Sequence, residues 1–362
     1  MQNNQAIPFN KENFQQIFSK EFVLVIIISI PGALIADYLR IPLAWFLGPM
    51  LFTSIASLAG VKTKMPKLVL TTILILLGLY IGNYIDKSLF SQIQQWAWTS
   101  LIMLIYIIVS VLMVSKYLQK FSGYDKKTSI FSAAPGALGP LMILAEDEKS
   151  DLSQVATSHL IRLIIIITIF PLVVNSFYNV ENFIVNEEII QKQNISNLLI
   201  LIFSSIVMII IFNKFKFPAA LLSGTLFASG FLQITELAYY KFSPDIINYC
   251  LLILGSSVGC RFANKTFNSI AKNALHSCVA TFMLVVLGLL AAFLAGLVID
   301  KNFFTLLLSY CPGGIYEVAV IAIFFNLDPE FVSFHHIIRL LMILFVVPII
   351  LKLINKKSTT NS

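Results

Sequence analysis

Residues 312–348 read PGGIYEVAVIAIFFNLDPEFVSFHHIIRLLMILFVVP, and this stretch decides the fold. Residues 135–171 read PGALGPLMILAEDEKSDLSQVATSHLIRLIIIITIFP. A single constant offset places identical residues of the two stretches on one another: Pro135 on Pro312, Gly136 on Gly313, Asp151 on Asp328, His159 on His336, Arg162 on Arg339 and Pro171 on Pro348. The whole chain has only four Arg and four His, and two of each stand at matched positions. The sequence therefore predicts a tandem duplication.

The composition is that of an integral membrane protein. Of the 362 residues, 58% are hydrophobic and 12% are charged, whereas a soluble domain has about 25% charged residues. The net charge of +7 does not indicate nucleic-acid binding, because the Lys residues stand in short loops beside apolar runs, as the positive-inside rule expects. Membrane lipid is thus a predicted partner, and nucleic acid is not.

Apolar runs near the 20 or so residues that a membrane helix needs occur six times in each half. They lie at 22–38, 42–60, 67–84, 97–115, 128–145, 153–175, 196–212, 218–235, 246–262, 275–299, 303–325 and 332–351. We therefore predict five segments: a polar N-terminal segment at 1–20, membrane repeat 1 at 21–175, a linker at 176–195, membrane repeat 2 at 196–351 and a basic C-terminal tail at 352–362.

Two topologies fit these runs. If all twelve cross, the repeats are parallel (6+6), and cytoplasmic loops hold 15 Lys and Arg against 8 outside. If 128–145 and 303–325 are broken by proline and glycine or are re-entrant, the repeats are inverted (5+5), and the tally becomes 18 to 5. Charge asymmetry favours the inverted arrangement, as does the common transporter plan of inverted repeats with broken helices. Both topologies place the two termini in the cytoplasm.

The predicted helix breaks are Pro135-Gly136 and Pro312-Gly313-Gly314. Glu317 follows the second break within apolar sequence, where an acid is a functional-site hypothesis by default. It is either a substrate or ion site or the acid that caps the new helix start. Its counterpart in the first repeat is Pro140, so a symmetric pair of sites is not expected.

Arg162 and Arg339 each lie eleven residues after a predicted N-cap Asp, about 16 Å along a helix and near the middle of the bilayer. Each Arg either satisfies open carbonyls at the neighbouring break or contacts a substrate. His159 and His336 precede them by three residues and share their helix faces. An interhelical hydrogen bond and a proton relay are the alternatives for the two His.

No metal, cofactor or enzyme signature stands out. The chain lacks a Walker A sequence, a nucleophile elbow and an HExxH motif. The adjacent pair His335-His336 cannot point both rings at one metal ion along a helix, because neighbouring side chains diverge by about 100°. The expectation is a protein that is not an enzyme and that binds neither a metal nor a cofactor.

The second motif resembles the AbrB family of bacterial membrane proteins. The resemblance rests on Pro-Gly-Gly-x-x-Glu from Pro312, Asp-Pro-x-Phe-Val from Asp328 and His-His-x-x-Arg-Leu from His335. It covers about residues 20–352 and implies a duplicated membrane domain in the bacterial inner membrane. Family members are labelled as regulators of gene expression or as ammonia monooxygenases. The first copy departs from the motif at Pro140 and has a single His.

We therefore expect a multi-pass inner-membrane protein that is a secondary transporter of a small molecule or ion. The expected binding residues are Glu317 and Arg339, with Arg162, His336 and His159 beside them. The alternative is a membrane-embedded regulator that acts through a partner protein. A homo-oligomer is compatible with either alternative.

Overall fold

The computed structural model describes residues 11–85, 89–136, 138–177, 195–215, 217, 219–238, 240, 242, 244–263, 265 and 267–360. Within these ranges the chain forms helices and no strand. The first half contains α1 (Lys11–Gln15), α2 (Lys20–Tyr38), α3 (Ala44–Leu58), α4 (Lys67–Gly82), α5 (Leu89–Ser122), α6 (Lys126–Ala133), α7 (Leu138–Asp147) and α8 (Leu152–Phe177). The second half contains α9 (Ile195–Lys214), α10 (Ala220–Ile234), α11 (Pro244–Cys260), α12 (Phe267–Gly296), α13 (Phe303–Tyr310), α14 (Ile315–Phe324) and α15 (Pro329–Thr360). The predicted linker lies mostly outside the described residues.

The duplication is visible in the helix boundaries. The offset that aligns the two Pro-Gly stretches also places both ends of α6 and α7 on those of α13 and α14. An offset smaller by a single position does the same for α3 and α10. The caps repeat as well, since Leu43 before α3 has φ 54° and Ala219 before α10 has φ 50°, both in the left-handed region. Because few residues other than glycine adopt this conformation, its recurrence supports a shared origin of the two halves.

The helices differ in whether they are long enough to span a lipid bilayer. Within the described ranges, six are long and apolar enough to cross a membrane by length and composition: Lys20–Tyr38, Trp96–Ser122, Leu152–Phe177, Ile195–Lys214, Ala274–Gly296 and Pro329–Leu353. The helices α3, α4, α10 and α11 have 15 to 17 residues, or about 22–26 Å at about 1.5 Å per residue. This all-helical architecture is that expected of a polytopic membrane protein.

The chain folds into two compact units that cut across the repeats. The glycine-packed unit comprises Met1–Leu89, Phe170–Phe267 and Ile323–Glu330, and the hairpin unit comprises Phe90–Ile169, Asn268–Ala322 and Phe331–Ser362. Each unit therefore contains matching segments of both halves. The two repeats are therefore divisions of the sequence, and the compact units are divided at other residues.

Within the glycine-packed unit, helices of one half of the chain pack against helices of the other half. Gly78 and Gly82 of α4 lie against α10, where a Cβ added at Gly82 would stand 2.8 Å from the Leu226 carbonyl oxygen. The matching glycines of α11 lie against α3, and a Cβ at Gly259 would stand 2.9 Å from the Met50 carbonyl oxygen. Small residues let backbones approach this closely. The four glycines therefore serve close packing between helices.

The hairpin unit contains two interrupted helices that turn back on themselves. Lys127 at the start of α6 lies 2.6 Å from the Glu148 carboxylate, just after α7, and the Asp151 N–H donates to Thr128 Oγ1 at 2.9 Å. The segment α6–α7 thus begins and ends in the same place. The second copy does the same, because Lys301 before α13 lies 5.7 Å from the Phe331 ring at the start of α15.

The base of the first hairpin is capped by Asp125. Its carboxylate accepts hydrogen bonds from the backbone N–H groups of Lys127 and Thr128 at 2.9 and 3.0 Å. Partial burial would raise the pKa of Asp125, but the bonds from Thr128 and Lys127 outweigh it and hold the pKa below its usual range. Asp151 caps α8 in the same way through Ser153 and Gln154, as an Asp in this position predicts.

Candidate functional site

The helices stop on either side of both Pro-Gly sequences. A residue before proline avoids the helical conformation, and Ala134 and Cys311 have ψ values of 127° and 130°. A helix that ends there leaves its last carbonyl groups without intrahelical partners. Each break therefore presents backbone oxygen atoms inside the hairpin unit, about one short helix, or about 12 Å, from the hairpin base.

Arg162 binds the open carbonyls of the first break. Its Nη1 donates to the Ala134 oxygen at 2.6 Å, and its Nη2 donates to the Ser132 oxygen. The side chain is 2% exposed. Its Nε has no hydrogen-bond partner, and neither does the buried Ser132 hydroxyl. The contacts are those of a structural tie, with one buried N–H left over.

Arg339 binds the second break in a related but not identical way. Its Nη1 donates to the oxygen of Cys311, which is the counterpart of Ala134 in the second copy. Its Nη2 donates to the Gly313 oxygen at 2.7 Å and to His336 Nδ1 at 2.9 Å. The copies therefore share one hydrogen bond and differ in the others.

The two His residues fix the neighbouring helices. His159 Nε2 donates to the Phe131 oxygen of α6 at 3.0 Å, and His336 Nε2 donates to the Leu308 oxygen of α13 at the same distance. A proton on Nε2 leaves Nδ1 of His336 as the acceptor for Arg339. The geometry is that of the interhelical hydrogen bond, and in the second copy the His also orients the Arg.

The two breaks approach each other within the hairpin unit. A Cβ added at Gly136 would stand 3.0 Å from Nη2 of Arg339, and one at Gly313 would stand 3.4 Å from the Ile166 side chain. Arg162 and Arg339 interact electrostatically, and the Tyr106 hydroxyl interacts with both. The positive φ of 101° at Gly136 suits a residue without a side chain. The missing side chain also leaves space for the Arg339 guanidinium.

Glu317 lies at the start of α14 and folds back over it. The residue is 1% exposed, and a Cβ added at Gly314 would collide with its Oε2 atom. A Glu three residues into a helix that reaches its own N-terminus is a capping arrangement, and its charge suits the positive end of the helix dipole. The geometry therefore matches the capping alternative for Glu317.

Sequence comparison places the chain in a family. The family described as Transition state regulatory protein AbrB matches residues 45–355. The chain belongs to the AbrB family. It is 24% identical over 320 residues to a candidate regulator called AbrB of Escherichia coli (strain K12), covering 87% of this chain and 91% of that protein. It is 21% identical over 290 residues to the uncharacterized protein YhjN of Bacillus subtilis (strain 168), covering 75% of each. No solved structure shows significant similarity.

The sequence of this AbrB-family chain does not single out every residue near the breaks. Tyr106 sits in an apolar run, and its hydroxyl donates to the Leu284 oxygen at 3.4 Å. His335 is held by Thr99 at 2.8 Å and by the Phe331 oxygen at 2.9 Å, beside the Trp96 ring. A polar group within an apolar run is the signal that could have found Tyr106, whereas His335 already stands out in the sequence beside His336. Among the described residues, no group of three His, Cys, Asp or Glu could hold a metal ion.

Proposed function

We propose that this AbrB-family protein is a secondary transporter of a small solute, with its binding site where the two Pro-Gly breaks meet. The observation that carries the proposal is the approach of Gly136 in one break to Arg339, which binds the other. Buried guanidiniums inside a membrane protein are costly and mark substrate or ion pathways. Transporters commonly place such groups at interrupted helices near the bilayer midplane.

The proposal includes an inverted arrangement of the repeats. Each hairpin starts and ends in one place, and helices of eight and ten residues reach about half of an apolar core about 30 Å thick. A half with one hairpin then crosses five times, through α2, α3, α4, α5 and α8. An odd number of crossings inverts the second half, so the hairpins enter from opposite sides. Both termini lie in the cytoplasm, and the protein resides in the inner membrane.

Five side chains have roles in this proposal. Arg162 and Arg339 supply positive charge at the two breaks, and Glu317 supplies the carboxylate at the second. His159 and His336 hold the short helices α6 and α13 in place through backbone carbonyls. No enzymatic step, metal or cofactor is part of the proposal, and a small molecule or ion is the partner.

Uptake into proteoliposomes tests the proposal. Purified protein is reconstituted and supplied with labelled amino acids, organic acids and amines under an imposed pH or sodium gradient. We expect gradient-driven uptake above empty liposomes, and its loss in Glu317→Gln with folding intact by circular dichroism. Glu146→Gln, exposed at the end of α7, is the matched control. Absence of uptake for every solute would count against the transporter. Uptake at the wild-type rate in Glu317→Gln would count against a role for Glu317.

A second candidate function is regulation of gene expression through a partner protein. The family description and the name of the Escherichia coli relative both favour it. Transcript profiles of cells that carry Glu317→Gln and of cells that lack the protein distinguish the two. A transporter that affects expression through its solute gives the same profile in both strains. A regulator that docks through its tails gives an altered profile on truncation of residues 1–10 and 352–362 with uptake unchanged.

A further inference from the structure

The buried charges of the hairpin unit do not balance. Among the described residues of this unit, the buried Arg, Lys, Asp and Glu side chains are Arg162, Arg339 and Glu317, so two guanidiniums accompany one carboxyl group. The two guanidiniums also interact with each other. A buried charge without a counter-charge is strongly unfavourable, so the described part of the interior lacks at least one counter-charge for the two guanidiniums.

The internal repeat shows where that charge is missing. In the second copy the third residue of α14 is Glu317, whose carboxylate covers the helix start. The third residue of α7 in the first copy is Pro140, and the first turn of α7 has no acidic residue. Both helices have the same length and follow the same kind of break. The second copy therefore contains its own carboxyl group at this place, and the first copy has a proline there.

The first copy also has buried donors without partners beside its break. Arg162 is 2% exposed and its Nε has no hydrogen-bond partner. The Ser132 hydroxyl is fully buried at the end of α6 and also lacks a partner. Arg162 binds the Ala134 carbonyl, so its guanidinium stands at the break itself. Buried donors are nearly always satisfied in folded proteins, and an anion is the acceptor that also supplies the missing charge.

We infer that the first break binds the carboxylate of a small monoanionic solute, at the position that the Glu317 carboxylate occupies in the second break. The inference rests on the proposed function and names its substrate class. Arg162 Nε and the Ser132 hydroxyl donate to the bound carboxylate, and the start of α7 faces it with the positive end of its dipole. Tyr106, whose hydroxyl interacts electrostatically with both guanidiniums, is part of the same polar cluster.

A built-in carboxylate tests the inference without knowledge of the natural solute. Pro140→Glu restores in the first copy the acid that the second copy has, and Pro140→Gln is the matched neutral control. We expect the thermal midpoint of detergent-purified Pro140→Glu to exceed that of Pro140→Gln by roughly 3 °C. In an Arg162→Gln background the difference should disappear. A difference of zero or of opposite sign in the wild-type background overturns the inference, as does an equal difference without Arg162.

Added anions give the second readout. At 100 mM, sodium acetate and sodium benzoate are compared with acetamide, benzamide and sodium nitrate. We expect the carboxylates to raise the wild-type midpoint and to have no effect on Pro140→Glu, whose site is filled. The assignment is overturned if only nitrate raises the wild-type midpoint. It is also overturned if neither acetate nor benzoate raises it. Because these are binding measurements, they fail separately from uptake: carboxylate binding without transport would reject the transporter and keep the site.

Discussion

Arg339 connects three parts of the hairpin unit. Its guanidinium donates hydrogen bonds to the Cys311 and Gly313 carbonyls of the second break and to His336 Nδ1. It also lies against Gly136 of the first break. A single side chain thus binds one interruption and lies against the other.

The residue-scale prediction concerns this connection. Arg339→Met should leave two carbonyls and one His nitrogen without a donor, at a cost of at least about 3 kcal/mol. The thermal midpoint in detergent should fall by roughly 5 °C or more, read by differential scanning fluorimetry. Lys62→Met, at an exposed loop position, is the control and should change the midpoint little. An unchanged midpoint in Arg339→Met would show that the described hydrogen bonds contribute nothing to stability.

At the scale of elements, the close helix pairs of the glycine-packed unit depend on the absence of side chains. The glycines of α4 contact α10, and those of α11 contact α3. Each pair joins a helix of one repeat to a helix of the other. The duplicated sequence therefore forms one interwoven unit, because each copy supplies the glycine face that the other copy needs.

The element-scale prediction uses two helical glycines with different surroundings. A Cβ at Gly259 would stand 2.6 Å from the Thr53 Cβ, whereas one at Gly296 would meet only the Leu306 Cδ1 at 3.4 Å. Gly259→Ala should therefore destabilise the protein by about 1–3 kcal/mol. Gly296→Ala should be neutral or slightly stabilising, since Ala favours a helix over Gly. Urea or thermal unfolding in detergent compares the two, and equal effects would contradict the packing described for α3 and α11.

At the scale of the whole molecule, the direction of each hairpin decides between inverted and parallel repeats. In the inverted arrangement the loop after α7 lies in the cytoplasm and the loop before α13 lies outside. In the parallel arrangement these two locations are exchanged. The contact of Lys127 with Glu148 at the base of the first hairpin favours the inverted arrangement, since a segment that returns to its starting point does not cross the membrane.

Cysteine labelling in intact cells tests this. Asp147 is the last residue of α7, Asp300 follows α12, and both are exposed. Each is replaced by Cys in a background with Cys260→Ser and Cys278→Ser. A membrane-impermeant maleimide should label Asp300→Cys and leave Asp147→Cys unmodified until the cells are opened. The reverse pattern would establish parallel repeats. The background without either new Cys gives the blank.

The duplication, the helical class and the places where helices stop can all be predicted from the amino-acid sequence. These features depend on local chemistry: proline lacks a backbone N–H and excludes the helical conformation before it, and rare residues such as Arg162 and Arg339 reveal a repeat when they recur. Helix starts at Asp151 and Pro329 follow from capping preferences of the same local kind. The bounds of α6, α7, α13 and α14 therefore agree closely with the apolar runs and their Pro-Gly interruptions.

Only the tertiary structure decided that the interrupted helices turn back, that the halves interweave and that Gly136 meets Arg339. The physical reason is that membrane helices are apolar on all sides, so hydrophobic periodicity does not say which face meets which neighbour. The role of Glu317 depended on the same information. A carboxylate can cover its own helix start or face a ligand with an identical sequence, and only the structure shows that the Glu317 carboxylate lies against Gly314.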